Sequence, residues 1–521
     1  MIERKSGDSR IFRTAVASSS ARTVSGSDRI QFVSLRSVIH WRTLIRSLPL
    51  AVLTLVTGSV LITARDQRSL RDQSRSIIAG ALKFDFGPGP LAPGYRRVMA
   101  QDTYSRETGF GFEPGAQISC INRNGKDPLR ADFCTSEKPF YFSVAVPEGN
   151  YNVTVTFGDE AAESVTTVKA ELRRLMLERV ETKRGKFETR TFTVNVRRPQ
   201  ISGGGEVKLK DREQTTEIRA WDEKLTLEFN GVHPAVCAVE IVPVEVPTIY
   251  LLGDSTVCDQ PREPYNSWGQ MLTRFFKPGI AVANHAESGE SLRSSLGAHR
   301  LDKVLSTIKP GDYLFIQYGH NDEKEKGEGV GAFTTYKSDL KKFIAGARAH
   351  GAIPVLITPV ERRTFDKNAK ITNSHGDYPE AVRQAAREEN VPLIDLNAMS
   401  KILYEAWGNE ASMKAFAPND NTHHNNYGSY ELAKCVVEGI RLNRLAITKY
   451  LVPDVPPFDP RHPDALQNFT VPPSLLGYEM PSSWLGHRKE IVLILFSYDE
   501  NADNSFVCHL SRHRPDRECH G

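Results

Sequence analysis

A chain of 521 residues, 40% hydrophobic and 25% charged, is long enough for two or three domains and has the composition of a soluble globular protein. That composition excludes a polytopic membrane protein, a wholly disordered chain and a collagen-like fibre. The net charge of +4, from 67 basic and 63 acidic residues, is too balanced to point to nucleic acid as a partner. Seven cysteines show neither C-x-x-C nor zinc spacing, so no metal or disulfide framework is indicated. The odd number leaves at least one thiol free, with room for one or two bridges if the chain is exported.

Residues 1–47 form a basic N-terminal extension, with nine Lys or Arg against three acids as far as Arg46. Residues 48–64, LPLAVLTLVTGSVLITA, are seventeen residues without a charge. A basic flank, an apolar run and small residues at its end are the pattern of a secretory signal peptide. The long preceding segment also allows a single-pass membrane anchor, for which seventeen residues is the short end. Either reading puts the rest of the chain outside the cytoplasm, by the positive-inside bias. Residues 65–82 are polar and read as a linker.

Residues 83–246 alternate apolar and polar positions over short runs, at 141–146, 151–157, 191–196 and 225–229. Period two with β-branched and aromatic residues predicts strands, and turn signals such as Pro147-Glu148-Gly149-Asn150 separate them. A β-sandwich follows. The stretch 171–181 fits either a helix or a charged strand pair.

Residues 247–450 change to short apolar strands, expected at 249–252, 280–284, 313–318, 353–358 and 393–396. Amphipathic helices lie between them, for instance at 336–350 and 378–389. Alternating βα units imply an α/β fold of three layers, with a five-stranded parallel sheet covered on both faces. Residues 451–521 begin with a proline-rich stretch that reads as an extended segment, followed by a partly disordered tail.

In an open α/β sheet, ligands bind at the carboxyl ends of the strands. There the sequence places Gly253-Asp254-Ser255-Thr256, then 286–291 centred on Gly289, then Gly319-His320-Asn321-Asp322, and finally Asp420-Asn421-Thr422-His423. Their chemistry fits together. A serine on a tight strand-to-helix turn can act as nucleophile if a base takes its proton and an acid orients that base. Ser255, His423 and Asp420 are the candidates for those catalytic roles. A tetrahedral oxyanion needs preorganised donors, available from the backbone N–H groups of Ser255 and Gly289 and the side-chain amide of Asn321.

The order and spacing of these four blocks resemble the GDSL, or SGNH, hydrolases, over about residues 248–445. Gly253-Asp254-Ser255-Thr256-Val257, Tyr318-Gly319-His320-Asn321-Asp322 and Asp420-Asn421-Thr422-His423 look more narrowly like the rhamnogalacturonan acetylesterase branch. The resemblance implies a serine esterase that removes acetyl groups from an acetylated plant polysaccharide through an acetyl-serine intermediate. The β-rich region, with Phe84-Asp85-Phe86-Gly87, is similar to galactose-binding-like modules that precede some of these esterases.

Arg362 and Arg363, beyond the fourth strand, are candidates for holding the carboxylate of an acidic sugar, and Trp268 or Tyr265 for stacking on a sugar face. No metal or other cofactor is expected. A metal-dependent phosphoesterase would require carboxylates and histidines converging on a cation, and Asp254 is followed by Ser255 and Thr256 rather than by a histidine. His424 reads as a surface residue at a helix start.

Overall fold

The computed structural model describes residues 80–474 and two short strands, Leu495–Ser497 and Val507–His509, which pair antiparallel. The basic extension, the apolar run 48–64, most of the linker and most of the tail lie outside the described residues. Among the described residues no helix is long and apolar enough to cross a membrane.

Twelve strands build the N-terminal part: β1 (Leu82–Phe86), β2 (Arg96–Val98), β3 (Phe110–Phe112), β4 (Ser119–Asn122), β5 (Asp132–Thr135), β6 (Phe140–Ala145), β7 (Gly149–Asp159), β8 (Ser164–Ala170), β9 (Arg174–Thr182), β10 (Lys186–Val196), β11 (Lys224–Val232) and β12 (Val236–Pro243). One sheet runs β10-β7-β12-β1-β2, with β5 and β4 extending from β12, and the other runs β3-β6-β11-β8-β9. Alternation along β7 sends Tyr151, Val153, Val155 and Phe157 inward. They meet Phe84, Phe86, Phe140 and Phe142 in a core where rings such as Phe86 and Phe142 pack edge to face at 4.9 Å. This edge-to-face arrangement suits the aromatic quadrupole. A disulfide joins Cys120 on β4 to Cys134 on β5.

Five parallel strands form the second part: β13 (Thr248–Gly253), β14 (Ala281–Asn284), β15 (Tyr313–Gln317), β16 (Ile353–Ile357) and β17 (Leu393–Ile394), in the order β14-β13-β15-β16-β17. Each overlaps a strand expected from the sequence to within two residues at either end; the fifth stops at Ile394 because Asp395 caps the helix that follows. Successive residues point to opposite faces. Ile249 and Leu251 therefore pack with α1 (Trp268–Leu272), α6 (Leu396–Ser412) and α7 (Asn426–Leu442). Tyr250 and Leu252 pack on the other face with α2 (Leu292–Gly297), α3 (Arg300–Leu305), α4 (Lys337–Ala349) and α5 (Tyr378–Glu389). Both faces are covered, which is why these strands read as continuous apolar runs.

The stretch 171–181, open on sequence grounds, is a turn with Glu171 and Arg173 at positive φ, leading into β9. The charges of its first half are turned inward, while Arg179 and Glu181 further along face water. Leu175 belongs to the core of the α/β domain, Glu178 accepts from Arg274 at 2.8 Å, and Arg173 pairs with Glu263 at 2.5 Å. A strand buried on both sides by a neighbouring domain loses the alternation that identifies strands.

Other charges cross the same boundary. Arg174 and Arg197 reach Asp259 at 3.6 and 3.7 Å, Glu213 holds Arg300 through two bonds of 3.0 and 2.6 Å, and Lys303 meets Glu148 at 2.7 Å. The proline-rich segment also returns to the sandwich. Lys169 Nζ donates to the Pro472 carbonyl and to Ser474 Oγ, both at 2.8 Å, and Asn230 donates to the Pro473 carbonyl at 2.8 Å.

His424, expected at the surface, is only 2% exposed. Its ring lies 4.2 Å from that of Phe416, and its Nε2 pairs with the Tyr404 hydroxyl at 2.7 Å. Burial, reinforced by the nearby His423 and His320, pushes its pKa down to about 3.

Two expectations follow from this packing. Removing one partner of a buried ion pair destabilises by about 3–5 kcal/mol, and a chain beginning at Pro247 takes Arg174 and Arg197 from Asp259 and Glu213 from Arg300. Such a chain will be insoluble or melt far below the whole protein. A soluble fragment melting within a few degrees of the parent would contradict that dependence. The second expectation concerns acid. Because the folded pKa of His424 lies below the unfolded value of 6.5, its stabilising contribution is intact above pH 6.5 and falls away towards pH 3. The full loss is on the order of 5 kcal/mol. In His424→Gln the melting temperature should fall less steeply between pH 6.5 and 4 than in the parent. Parallel slopes would remove His424 from the account of acid sensitivity.

Candidate active site

The strand order places β13 where the sheet reverses its direction of winding, the position at which open α/β sheets bind ligands. Ser255 stands two residues past the end of β13, on a turn closed by the N–H groups of Val257 and Cys258, which both donate to the Asp254 carbonyl at 3.0 Å. Gly253 is required there by contact. A Cβ at this position would lie 2.6 Å from both the Gln317 carbonyl oxygen and a Val257 methyl. The Asp254 carboxylate is fully buried under the turn and accepts from Thr256 N–H at 2.9 Å, Thr256 Oγ1 at 2.7 Å and His320 Nδ1 at 3.2 Å. Burial alone would raise its pKa, but His320, which is protonated in the acid range where this carboxyl titrates, and the Thr256 donors hold it at about 2. From β14, Asn284 donates to the Val257 carbonyl at 2.7 Å and bonds Asp259 at 2.8 Å, which fixes the far side of the same turn.

Asp420 and His423 come from the loop before α7. Asn425 caps that helix by accepting the N–H of Gly428 at 3.1 Å. Asp420 Oδ1 accepts the backbone N–H groups of Thr422 and His423 at 2.7 and 2.9 Å, while Oδ2 holds His423 Nδ1 at 2.8 Å. His423 Nε2 lies 2.8 Å from Ser255 Oγ. Burial would lift the Asp420 pKa, but the two N–H groups and the histidine outweigh it and leave the carboxyl below its ordinary value. The carboxylate is therefore ionised at neutral pH and fixes the tautomer that leaves Nε2 free to accept the serine proton.

Ser255, only 8% exposed, opens on a cleft of about 650 Å³. Its lining includes Gln260, Tyr265, Ser288, Gly289, His320, Asn321, Lys324, Arg362, Asp420, Thr422 and His423. Gly289 adopts φ +76°, a conformation that side chains disfavour. The Asn321 amide donates to the Glu290 carbonyl at 3.0 Å and its oxygen accepts from Lys324 at 3.0 Å, which leaves its second N–H unused. Among the described hydrogen bonds none takes the backbone N–H of Ser255 or of Gly289. All five sequence candidates for catalysis and for the oxyanion thus meet in one cleft. Among the described residues no group of three His, Cys, Asp or Glu is placed to hold a metal ion.

The substrate-binding candidates fare differently. Trp268 is corrected: it is 1% exposed and donates its indole N–H to Gln317 at 2.7 Å, so it is a core residue that braces the sheet and offers no face to a sugar. Tyr265, 39% exposed and edge-on to His423, is the aromatic side chain in the cleft. Arg363 is also corrected: it points away, to Asn409 at 3.0 Å and Asn421 at 2.8 Å, and does not line the cleft. Arg362 does line it, but Glu323 grips its guanidinium, so its charge is already matched. Sequence reasoning missed Gln260, whose amide donates to the Ser255 carbonyl at 2.7 Å, and Lys324. Neither sits in a motif, and only their spacing after Ser255 and Asn321 hinted at them.

Residues 251–429 match the GDSL-like lipase/acylhydrolase family, and residues 82–196 match the galactose-binding-like domain of the β-agarase/YxiM esterase-like group. The rhamnogalacturonan acetylesterase RhgT of Bacillus subtilis strain 168 is 42% identical over 219 residues, covering 39% of this chain and 94% of its own length. From the same organism, the probable rhamnogalacturonan acetylesterase YesY is 41% identical over 213 residues, covering 39% of this chain and 97% of its own. Another protein of that organism, the uncharacterized esterase YxiM, is 30% identical over 384 residues, covering 70% of this chain and 91% of its own. The family match runs from the strand that presents Ser255 through the loop that carries His423: the chain belongs to the GDSL-like lipase/acylhydrolases and is a carboxylic ester hydrolase.

Proposed function

We propose that the protein removes acetyl groups from an acetylated plant polysaccharide, pectic rhamnogalacturonan, through an acetyl-serine intermediate, and that it works outside the cytoplasm. The observation that carries the mechanism is the unbroken chain from Ser255 Oγ to His423 and Asp420, with each link at 2.8 Å. The substrate class rests on two relatives that bear the name rhamnogalacturonan acetylesterase. It also rests on a cleft in which no aliphatic side chain appears among the lining residues. Hydroxyl-rich chains suit such a wall, and lipid tails do not. The location rests on the basic-flanked apolar run 48–64 and on the Cys120–Cys134 bridge, a bond characteristic of oxidising compartments.

In this reading Ser255 Oγ attacks the acetyl carbonyl while its proton passes to His423 Nε2. The carbonyl oxygen becomes an oxyanion held by the N–H groups of Ser255 and Gly289 and by the Asn321 amide. The tetrahedral intermediate collapses, and the sugar oxygen leaves with the proton from His423. Water then gives a proton to His423 and attacks the acetyl-serine. A second collapse returns the proton to Ser255 and releases acetate. Asp420, ionised throughout, offsets the imidazolium charge in both halves.

Ser255→Ala should fold normally and lose several orders of magnitude in kcat, with only the ~10³–10⁴-fold rate enhancement that binding and the oxyanion site retain. A variant keeping more than a few per cent of activity would remove Ser255 from this role. Asn321→Ala should lower kcat by roughly 10²–10³ with KM little changed. A rise in KM at constant kcat would make it a substrate-binding residue instead. The substrate assignment is tested by acetate release from acetylated pectin, xylan and chitin fragments. Release from xylan or chitin well above that from pectin would overturn it.

A further inference from the structure

The loop carrying Gly289 is held from outside its own domain. Lys210, on the segment between β10 and β11 of the sandwich, donates from Nζ to the Ser288 carbonyl at 2.7 Å and pairs with Glu290 Oε1 at 2.7 Å. Arg212, two residues on, also donates to the Ser288 carbonyl, and it grips Glu287. A single backbone carbonyl thus receives two cationic donors, both from the other domain. The segment is itself anchored. The Lys210 N–H donates to Glu213 at 2.9 Å, Glu213 is locked to Arg300, and Trp221 packs with Leu172 and Val207.

The carbonyl these cations hold belongs to the same planar unit as the Gly289 N–H. In a trans peptide the C=O and N–H are fixed in opposite directions. Pinning the Ser288 oxygen therefore sets the direction of the Gly289 N–H, and glycine at φ +76° would otherwise let that unit rotate. Donation to the carbonyl also polarises the amide and strengthens its N–H as a donor. The same loop reaches the other oxyanion donor, because the Glu290 carbonyl accepts from the Asn321 amide at 3.0 Å.

We propose that Lys210 and Arg212 of the sandwich are positioning residues for ester hydrolysis: by holding the Ser288 carbonyl they aim and strengthen the Gly289 N–H that receives the oxyanion. The inference rests on the reading of Gly289 as an oxyanion donor given above. It makes the sandwich part of the catalytic apparatus, in addition to any contact it makes with polysaccharide. Neither residue touches the reacting atoms.

The test uses the whole chain and a neutral small ester, 4-nitrophenyl acetate, so that attraction of an anionic substrate plays no part. Lys210→Met should lower kcat about tenfold or more, with KM and melting temperature little changed, and Lys210→Arg should restore most of it. Loss of one oxyanion donor outright lowers kcat by about 10²–10³, so a misaimed donor should fall short of that. Unchanged kcat in Lys210→Met beside a large loss in Asn321→Ala would overturn the positioning role and leave the oxyanion reading standing. Unchanged kcat in both variants would overturn both. If Lys210→Met also melts early, Lys210→Gln decides the matter, since it keeps an N–H donor for Ser288. Recovery of kcat supports the proposal, and continued loss at the parent's melting temperature overturns it.

Discussion

Four arginines among the described residues are buried, and each finds its nearest carboxylate on the other side of a domain boundary; Arg173 of the sandwich meets Glu263. Arg174 and Arg197 of the sandwich share Asp259, and Arg300 of the α/β domain takes both oxygens of Glu213. A buried charge without a partner is expensive, whereas a paired one adds little stability over a hydrophobic contact of the same volume. Such pairs therefore bring less net stability than registry: they allow one docking of the two domains and penalise the alternatives. The consequences reach the chemistry. Asp259 bonds Asn284, which braces the nucleophile turn, and Glu213 fixes the segment that bears Lys210.

Behind the nucleophile lies a second charged chain. Asp254 meets His320, whose ring abuts His375 at 4.5 Å, and His375 pairs with Glu323 at 2.7 Å. Glu323 in turn holds Arg362 at the cleft. Burial keeps the His320 pKa below its ordinary value despite the adjacent Asp254, so near neutral pH the ring serves as a neutral spacer between a buried carboxylate and the cleft. The Gly-His-Asn-Asp block is in this sense mainly scaffolding. Asn321 lines the cleft with one amide N–H outside its described bonds, whereas Asp322 accepts the Leu292 N–H at 2.9 Å.

What the sequence made legible follows from how locally each feature is determined. The five strands of the parallel sheet were readable because each is buried on both faces and flanked by helices with their own period. Ser255, Gly289, Asn321, Asp420 and His423 could be grouped from the sequence because each belongs to a short motif beside an element, the first three in loops after strands and the last two in the loop before α7. β9 was not, because its second face is covered by a domain that follows in the chain. Trp268 and Arg363 failed for a related reason. Their position after a strand or near the active edge says nothing about direction, and each found a partner elsewhere, Gln317 for one and Asn409 and Asn421 for the other. Lys210 carries no motif. Its part depends on a backbone carbonyl 78 residues away, a relation that no local pattern encodes.

The return of the proline-rich segment to the sandwich bears on how the chain is made. Lys169 and Glu228 are buried partners within the sandwich, yet both also bond Ser474, which follows Lys169 by 305 residues. While the chain emerges from the ribosome, the sandwich is finished long before that serine exists. Until then its β8–β11 strand pair carries an ammonium–carboxylate pair whose remaining hydrogen bonds water must serve. The last native contacts of the first domain to be synthesised are thus supplied by the end of the second, and maturation of the two cannot be fully sequential. A contact of such sequence separation must meet a loop-closure cost before it is rewarded, so the strap completes the sandwich only once the second domain has been made.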